Sequence, residues 1–303
     1  MPGPVPVARS NHRKLEADFC GELYVWDVDK TYLDSHFHTV KELAGFLIEF
    51  AIDKRAIAGA VPLLQALRRG PGSDYAETPL YFVSASPPQL GPVIERKLLL
   101  DGVEHDGIAF KDQLTYLRRL RPGQLRNHTS YKLAALLEYW AETPPGARWT
   151  LFGDDAETDA DIYSLFADVT AGEVRGDALI ERILAAGVPE DEARHVAALA
   201  GVRPGRETVE RILIHLTEGS QPERFDRFGP RVVACQDFLQ CAMVLRAEGR
   251  IADRGMIAVA RELSGRGADV EASVREGLER GLPGIGSGRT RILATLKKAG
   301  LIG

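Results

Sequence analysis

Two aspartates, Asp27 and Asp29, stand one residue apart at the end of "LYVWDVDKT", with Thr31 two residues further on. A second apolar run, "YFVSAS", ends in Ser84 and Ser86, and a third, "LFGDDAETDADIY", brings Asp154, Asp155, Glu157 and Asp159. Lys132, in "SYKLAAL", precedes that third run. Carboxylates crowded into a small space repel one another unless a cation neutralises them. A set of oxygen ligands suits a hard ion, and Mg²⁺ is the usual choice where the protein gives only two or three carboxylates. A lysine and a hydroxyl beside that ion suit an anionic guest such as a phosphoryl group.

These residues can meet only if the elements carrying them line up. "GELYVWDVD" (21–29), "TPLYFVSASP" (78–87), "GIAFKD" (107–112) and "RWTLFGDD" (148–155) read as strands, and "ADVTAGEV" (167–174) as a weaker fifth. Helical periodicity fills 39–70, 89–102, 130–143 and 159–167 between them. Strand and helix in alternation predict an α/β fold: a parallel Rossmann-like sheet covered on both faces. Ligands of such sheets bind beyond the carboxyl ends of the strands. That edge would gather Asp27, Asp29, Ser84, Asp154, Asp155 and Asp159, with Lys132 reaching it from a helix start.

After residue 174 the strand signals stop. Six amphipathic stretches closed by glycines predict an all-α region over 175–303, following an α/β domain over 18–174. Within that region "GLPGIGSGRTRILATLKKAG" (281–300) resembles a helix-hairpin-helix element. Backbone N–H groups of such an element contact nucleic-acid phosphates. From Gly265 to Gly303 there are seven Lys/Arg and four Asp/Glu. A glycine-rich turn with an ordinary basic tail is the plainer explanation, because the match is short and single.

The chain has 303 residues, 45% hydrophobic and 27% charged, with a net charge of −5. That is ordinary for a globular protein and gives no overall argument for nucleic acid. Cys20, Cys235 and Cys241 are odd in number and lack metal-type spacing, which argues against a disulfide framework and fits the cytoplasm. The opening "MPGPVPVARSNHRKLEADF" lacks the apolar core of a secretory signal. No apolar run is long enough to span a bilayer.

Four motifs in order, "DVDKT", "YFVSAS", Lys132 in "SYKLAAL" and "LFGDDAETDADIY", resemble the haloacid dehalogenase superfamily over residues of about 20 to 174. "FVSASPPQL" followed by "FGDDAETDADIY" is most similar to its actin-patch-associated phosphatidate phosphatase branch. Lys30 and Tyr32 depart from that branch's first motif, and Asp155 stands where a small polar residue is common.

The resemblance implies a Mg²⁺-dependent phosphatase. Asp27 would be the nucleophile that forms an aspartyl-phosphate, and Asp29 the general acid and then base. Thr31 would orient Asp29, Ser84 would hold a phosphoryl oxygen, and Lys132 would neutralise charge. The metal set would be drawn from Asp27, Asp29, Asp154, Asp155 and Asp159, with Asp154 first and Asp159 second.

Each residue also has a plain reading. Asp-x-Asp at a strand end is often a turn or cap, Ser84 a cap, and Lys132 a solvated charge. Lys111 also lies near a strand end and competes with Lys132. His36 and His38 lack a carboxylate partner, and His105 and His128 suit structural places. Residues 32–83 and 87–131 leave little room for a large inserted cap. An open site favours a bulky phosphomonoester, a phospholipid ahead of a nucleic acid, since the motifs carry the first and one short turn the second. The alternatives are a nucleic-acid end-processing phosphatase that uses the 281–300 element, and a non-catalytic binding protein of the same fold.

Overall fold

The computed structural model describes residues 4–34, 55–118, 122–125, 127–156, 158–217 and 219–303. Seven strands form one sheet: β1 (Val7–Arg9), β2 (Glu22–Asp27), β3 (Leu80–Ser84), β4 (Gly107–Lys111), β5 (Arg148–Asp154), β6 (Val209–His215) and β7 (Val232–Cys235). Their spatial order is β1-β4-β3-β2-β5-β6-β7. All neighbours pair in parallel except β1, an antiparallel edge strand on β4.

The helices are α1 (Ala60–Arg69), α2 (Gly91–Leu100), α3 (Gln113–Arg118), α4 (Thr129–Glu142), α5 (Asp159–Ala171), α6 (Gly176–Ala185) and α7 (Glu190–Ala200). Then come α8 (Phe238–Ala247), α9 (Asp253–Gly265), α10 (Val270–Glu279) and α11 (Ile285–Lys298).

Side chains of a strand alternate between faces, and β2 shows what that does here. Tyr24 and Trp26 join a core with α1, α2 and α8–α11, where Trp26 stacks on Phe152 at 4.0 Å. Leu23 and Val25 join a second core with α4–α7. The sheet is therefore buried on both faces, which is why its strands read as nearly unbroken apolar runs. Alternation carries Asp27 to the Leu23 and Val25 side, toward α4 and α5.

The α/β architecture with a parallel sheet matches the expectation, and β2 to β5 fall where the sequence placed them. Three expectations need correction. The weak fifth strand over 167–174 is helix: α5 continues to Ala171 and ends at Gly172, whose φ of 89° only glycine adopts easily. Val169 and Thr170, the residues that suggested a strand, are wholly buried in that helix. "RETVERILIHLTEG", read as a helix, holds β6, and "RVVACQDFLQCAMVLRAEG", read as one helix, is β7 followed by α8. The region 175–303 thus adds two strands to the same sheet, and the all-α stretch begins only at Phe238.

Strand β1 was not anticipated. It is three residues long, and Arg9 fixes it by ion pairs with Glu138 and Glu142 of α4. The expected helix over 39–70 is seen as α1 in its last part. Residues 55–59 just before it are not helical: Ala56 bridges to Leu33, and Gly59 stands at φ 85°. Residues 39–54, His36, His38 and Glu157 lie outside the described residues.

Candidate active site

The carboxyl ends of β2, β3 and β5 lie side by side, so their terminal residues converge. Asp27 ends β2 and is fully buried. One carboxylate oxygen of Asp27 lies 2.8 Å from the ammonium of Lys132, itself fully buried in the first turn of α4. The same ammonium pairs with Asp159, the first residue of α5. Asp154 ends β5, and its backbone N–H lies 3.4 Å from the other Asp159 oxygen. Its own carboxylate accepts a hydrogen bond from the Ala156 backbone N–H at 2.6 Å.

Asp27, Asp154 and Asp159 each offer a carboxylate oxygen, and these three oxygens lie within 4.8 Å of one another. Among the described residues, three carboxylates against one ammonium leave an excess of two negative charges. Buried charge of that size is costly unless matched, and a divalent cation matches it. The donor set is oxygen throughout, so the residues fit a hard ion.

Close packing brings α5 up to β5. A Cβ at Gly153 would sit 2.5 Å from an Asp159 carboxylate oxygen and 2.7 Å from the Asp159 Cβ. Only a residue without a side chain lets Asp159 stand beside Asp154. Tyr163, one turn on, closes the other side. Burial, with Asp159 nearby, pushes its phenol well above the ordinary value, so it stays neutral.

Asp29 is separate from that cluster. After Asp27 the chain leaves the strand in a tight turn, with Lys30 at φ 59° and the Val28 carbonyl accepting from Tyr32 and Leu33. The turn presents Asp29 to the end of β3. The Ser84 hydroxyl donates to it at 2.9 Å, and the Ser86 hydroxyl lies 3.2 Å from both of its oxygens. Ser84 therefore faces Asp29, and Ser86, which the sequence reading left without a role, faces it too. The Ser-x-Ser spacing at a strand end was the available signal.

Thr31 was expected to orient Asp29. Its hydroxyl instead lies 3.4 Å from Asp27 and 3.5 Å from Asp154, at the limit of hydrogen bonding. Asp155 points the other way, accepting from the Thr217 backbone N–H at 2.7 Å, beyond the end of β6. Of the two lysines weighed, Lys132 reaches the carboxylates. The Lys111 ammonium donates to the carbonyls of Gln124 and Asn127 at 2.6 and 2.7 Å, pinning the loop before α4.

His215 is the residue that sequence reasoning missed, because its strand was read as a helix. It ends β6 as the register partner of Asp154 and stacks on Phe238 at 4.8 Å. Burial pushes its imidazole down to about 4, so it is neutral near pH 7.

The 281–300 element forms as a turn after α10, followed by α11. Its Gly284, at φ 71°, packs on α8, where a Cβ would meet that of Ala247 at 3.1 Å. Ala247 ends the helix that starts beside the carboxyl end of β7. The turn therefore lies at the amino ends of the strands, where Arg250 pairs with Glu22, the first residue of β2. Asp27 is at the opposite edge.

A parallel sheet with a buried Asp-x-Asp strand end, a buried lysine, Asp154 at a second strand end and Asp159 at a helix start defines a phosphatase of the haloacid dehalogenase type. The family model described as "Phosphatidate phosphatase APP1, catalytic domain" matches residues 23–178, and the chain belongs to that family. No curated protein and no solved structure matches the chain. The match ends before β6 and β7, which continue the same sheet. No helix among the described residues is long and apolar enough to cross a membrane.

Proposed function

We propose that this phosphatase hydrolyses the phosphomonoester of phosphatidate, with Mg²⁺ as cofactor and Asp27 as nucleophile. The observation that carries the reading is the buried cluster in which one lysine and two further acids surround the Asp27 carboxylate. Asp27, Asp154 and Asp159 would hold Mg²⁺; Asp155, turned to Thr217, and Asp29, held by serines, would not. The bound ion supplies positive charge to the phosphoryl oxygens as bonding at phosphorus changes.

The chain's own residues do the rest. An Asp27 oxygen attacks phosphorus in line, and the bond from phosphorus to the glycerol oxygen breaks. Asp29 gives its proton to that departing oxygen, releasing diacylglycerol. Asp29, now ionised, takes a proton from water, which attacks the aspartyl-phosphate and frees phosphate and Asp27. Lys132 offsets negative charge on Asp27 and on the transferred group. Ser84 and Ser86 aim the Asp29 carboxyl toward the leaving group.

The substrate rests on two supports. The family match names a phosphatidate phosphatase. Between β3 and β5 the described chain is spent on the core elements α2, β4, α3 and α4, with no inserted domain to enclose a small substrate. The nucleic-acid alternative is weaker, since the 281–300 turn lies at the far edge of the sheet. Three free cysteines, two of them buried, accord with a reducing cytoplasm.

The test is a single turnover with phosphatidate carrying a radiolabelled phosphate, quenched in acid. Label should stay on the wild-type chain, leave on treatment with hydroxylamine, and be absent from folded Asp27→Asn. Label retained by Asp27→Asn, or hydrolysis with no labelled wild-type chain, overturns the mechanism. Preference for a soluble sugar or nucleotide phosphate over phosphatidate overturns the substrate.

A further inference from the structure

Among the described residues the exposed leucines are Leu99, Leu100, Leu114, Leu117 and Leu184. Leu99 and Leu100 close α2, which starts at the catalytic edge and runs away from it. The other three sit at the catalytic edge itself.

Leu114 and Leu117 belong to α3, which follows the carboxyl end of β4 directly. The helix is fixed on its inner side. Asp112 caps it through Thr115, and Tyr116 is fully buried, its hydroxyl donating to Glu192 at 3.2 Å. The Gln113 amide donates to the Ala85 carbonyl at 2.8 Å, between the two serines that hold Asp29. Leu114, Leu117 and Arg118 are left on the outer side, all exposed. Leu184 joins this rim because the Asn127 amide, in the loop before α4, donates to the Ala186 carbonyl just beyond α6.

Charge points the same way. Arg118 is exposed beside the leucines, and the sequence "QLTYLRRLRPGQLR" from Gln113 to Arg126, of which 119–121 and 126 lie outside the described residues, has four arginines and no acid in a chain whose net charge is −5. Leucines interspersed with arginines suit the surface of an anionic bilayer: apolar side chains enter the boundary of the acyl chains, and guanidinium groups meet lipid phosphates.

We infer that the outer side of α3, with Leu114, Leu117 and Arg118, docks the protein on an anionic membrane and brings the mouth of the site to the headgroups. This rests on the lipid reading for its purpose. A phosphate at headgroup level reaches Asp27 only when the carboxyl edge of the sheet faces the bilayer, and α3 is on that edge. Docking is separate from chemistry, since no residue of the outer side touches the carboxylate cluster.

The test uses the full chain, its Leu114→Ser/Leu117→Ser and Arg118→Glu variants, and vesicles of phosphatidylcholine with or without phosphatidylserine. Phosphatidylserine is anionic and carries no phosphomonoester, so binding is read without turnover. The wild type should sediment with the phosphatidylserine vesicles and release as salt rises. Each variant should bind about tenfold more weakly. On phosphatidate vesicles KM should rise by a similar factor, while turnover of a soluble aryl phosphate stays at the wild-type level. Equal vesicle binding by wild type and variants overturns the inference, as does a wild type that ignores anionic vesicles. Retention of a nucleic-acid duplex that Arg118→Glu abolishes and the leucine changes leave intact overturns it too. If vesicles are bound through α3 but phosphatidate is not hydrolysed, the docking surface stands and the substrate reading fails.

Discussion

The ammonium of Lys132 lies 2.8 Å from an Asp27 carboxylate oxygen and pairs with Asp159 on its other side, with all three side chains buried. Lys132 is thus the cation that the described residues bring to the acid cluster. Removing one partner of a buried ion pair costs about 3–5 kcal/mol, because the remaining charge is stranded. Lys132→Met should therefore unfold at clearly lower temperature without divalent ions. Added Mg²⁺ should raise its melting temperature more than it raises that of the wild type. A Lys132→Met protein as stable as wild type in chelator would remove Lys132 from the charge balance.

The two candidates for the third metal-binding acid separate cleanly. Asp159 shares the cluster with Asp27 and Asp154, whereas Asp155 accepts from the Thr217 backbone N–H. A chelator should abolish activity, Mg²⁺ should restore it, and Ca²⁺ should restore it poorly because its looser coordination misplaces the reacting groups. Asp159→Asn should raise the Mg²⁺ needed for half-maximal activity by about tenfold or more. Asp155→Asn, which can still accept from Thr217, should leave it close to wild type. Equal effects of the two changes would place the metal elsewhere.

Gly153 tests how tightly the cluster is built. An alanine Cβ there would stand 2.5 Å from an Asp159 oxygen and 2.9 Å from the Tyr163 ring. The Asp159 Cβ would also stand only 2.7 Å away, and neither it nor the Tyr163 ring can swing aside, so α5 must move. Overpacking of this kind costs about 1–3 kcal/mol. Gly153→Ala should lower the melting temperature and raise the Mg²⁺ requirement together. A crystal structure of the variant with Asp159 unmoved would refute the steric argument.

Ser84 and Ser86 both face Asp29, so their loss should act where a general acid matters most. A glycerol alkoxide leaves poorly without a proton; a nitrophenolate leaves well. General acid–base help is worth about 10²–10⁴ in rate. The Ser84→Ala/Ser86→Ala double variant should lose a substantial part of that on phosphatidate and much less on nitrophenyl phosphate. A uniform loss on both substrates would instead make the serines phosphate ligands alone.

Much of this site was legible before any coordinates. Asp27, Ser84, Lys132 and Asp154 each follow or precede an apolar run, and period-two burial together with a parallel sheet was enough to bring them to one edge. What failed was local. "VERILIH" carries Glu210 and Arg211 next to each other, where the β5–β6 register is irregular, and then three apolar residues. A strand buried on both faces has no alternation to betray it, so a short apolar run reads equally as helix. Losing β6 also lost His215. Thr31 was assigned by motif spacing, but the left-handed Lys30 between it and Asp29 turns the chain, and its hydroxyl meets Asp27 instead.

His215 supplies a prediction about stability and pH. Its folded-state value, pushed down to about 4 by burial, lies below the ordinary 6.5 of an exposed histidine. The unfolded chain therefore binds a proton at a pH where the folded chain does not, and stability falls as pH is lowered. The window runs from about 6.5 down to about 4: above it the contribution is whole, below it lost. A shift of that size corresponds to roughly 3 kcal/mol. His215→Gln has no titrating group, so its stability should fall less steeply between pH 6.5 and 4. The two proteins should be compared by urea unfolding at several pH values, with unchanged m-values as the check that the denatured state is the same. Parallel curves for the two proteins across that window would mean that His215 is protonated in the folded state, and that the contact with Phe238 does not keep it dry.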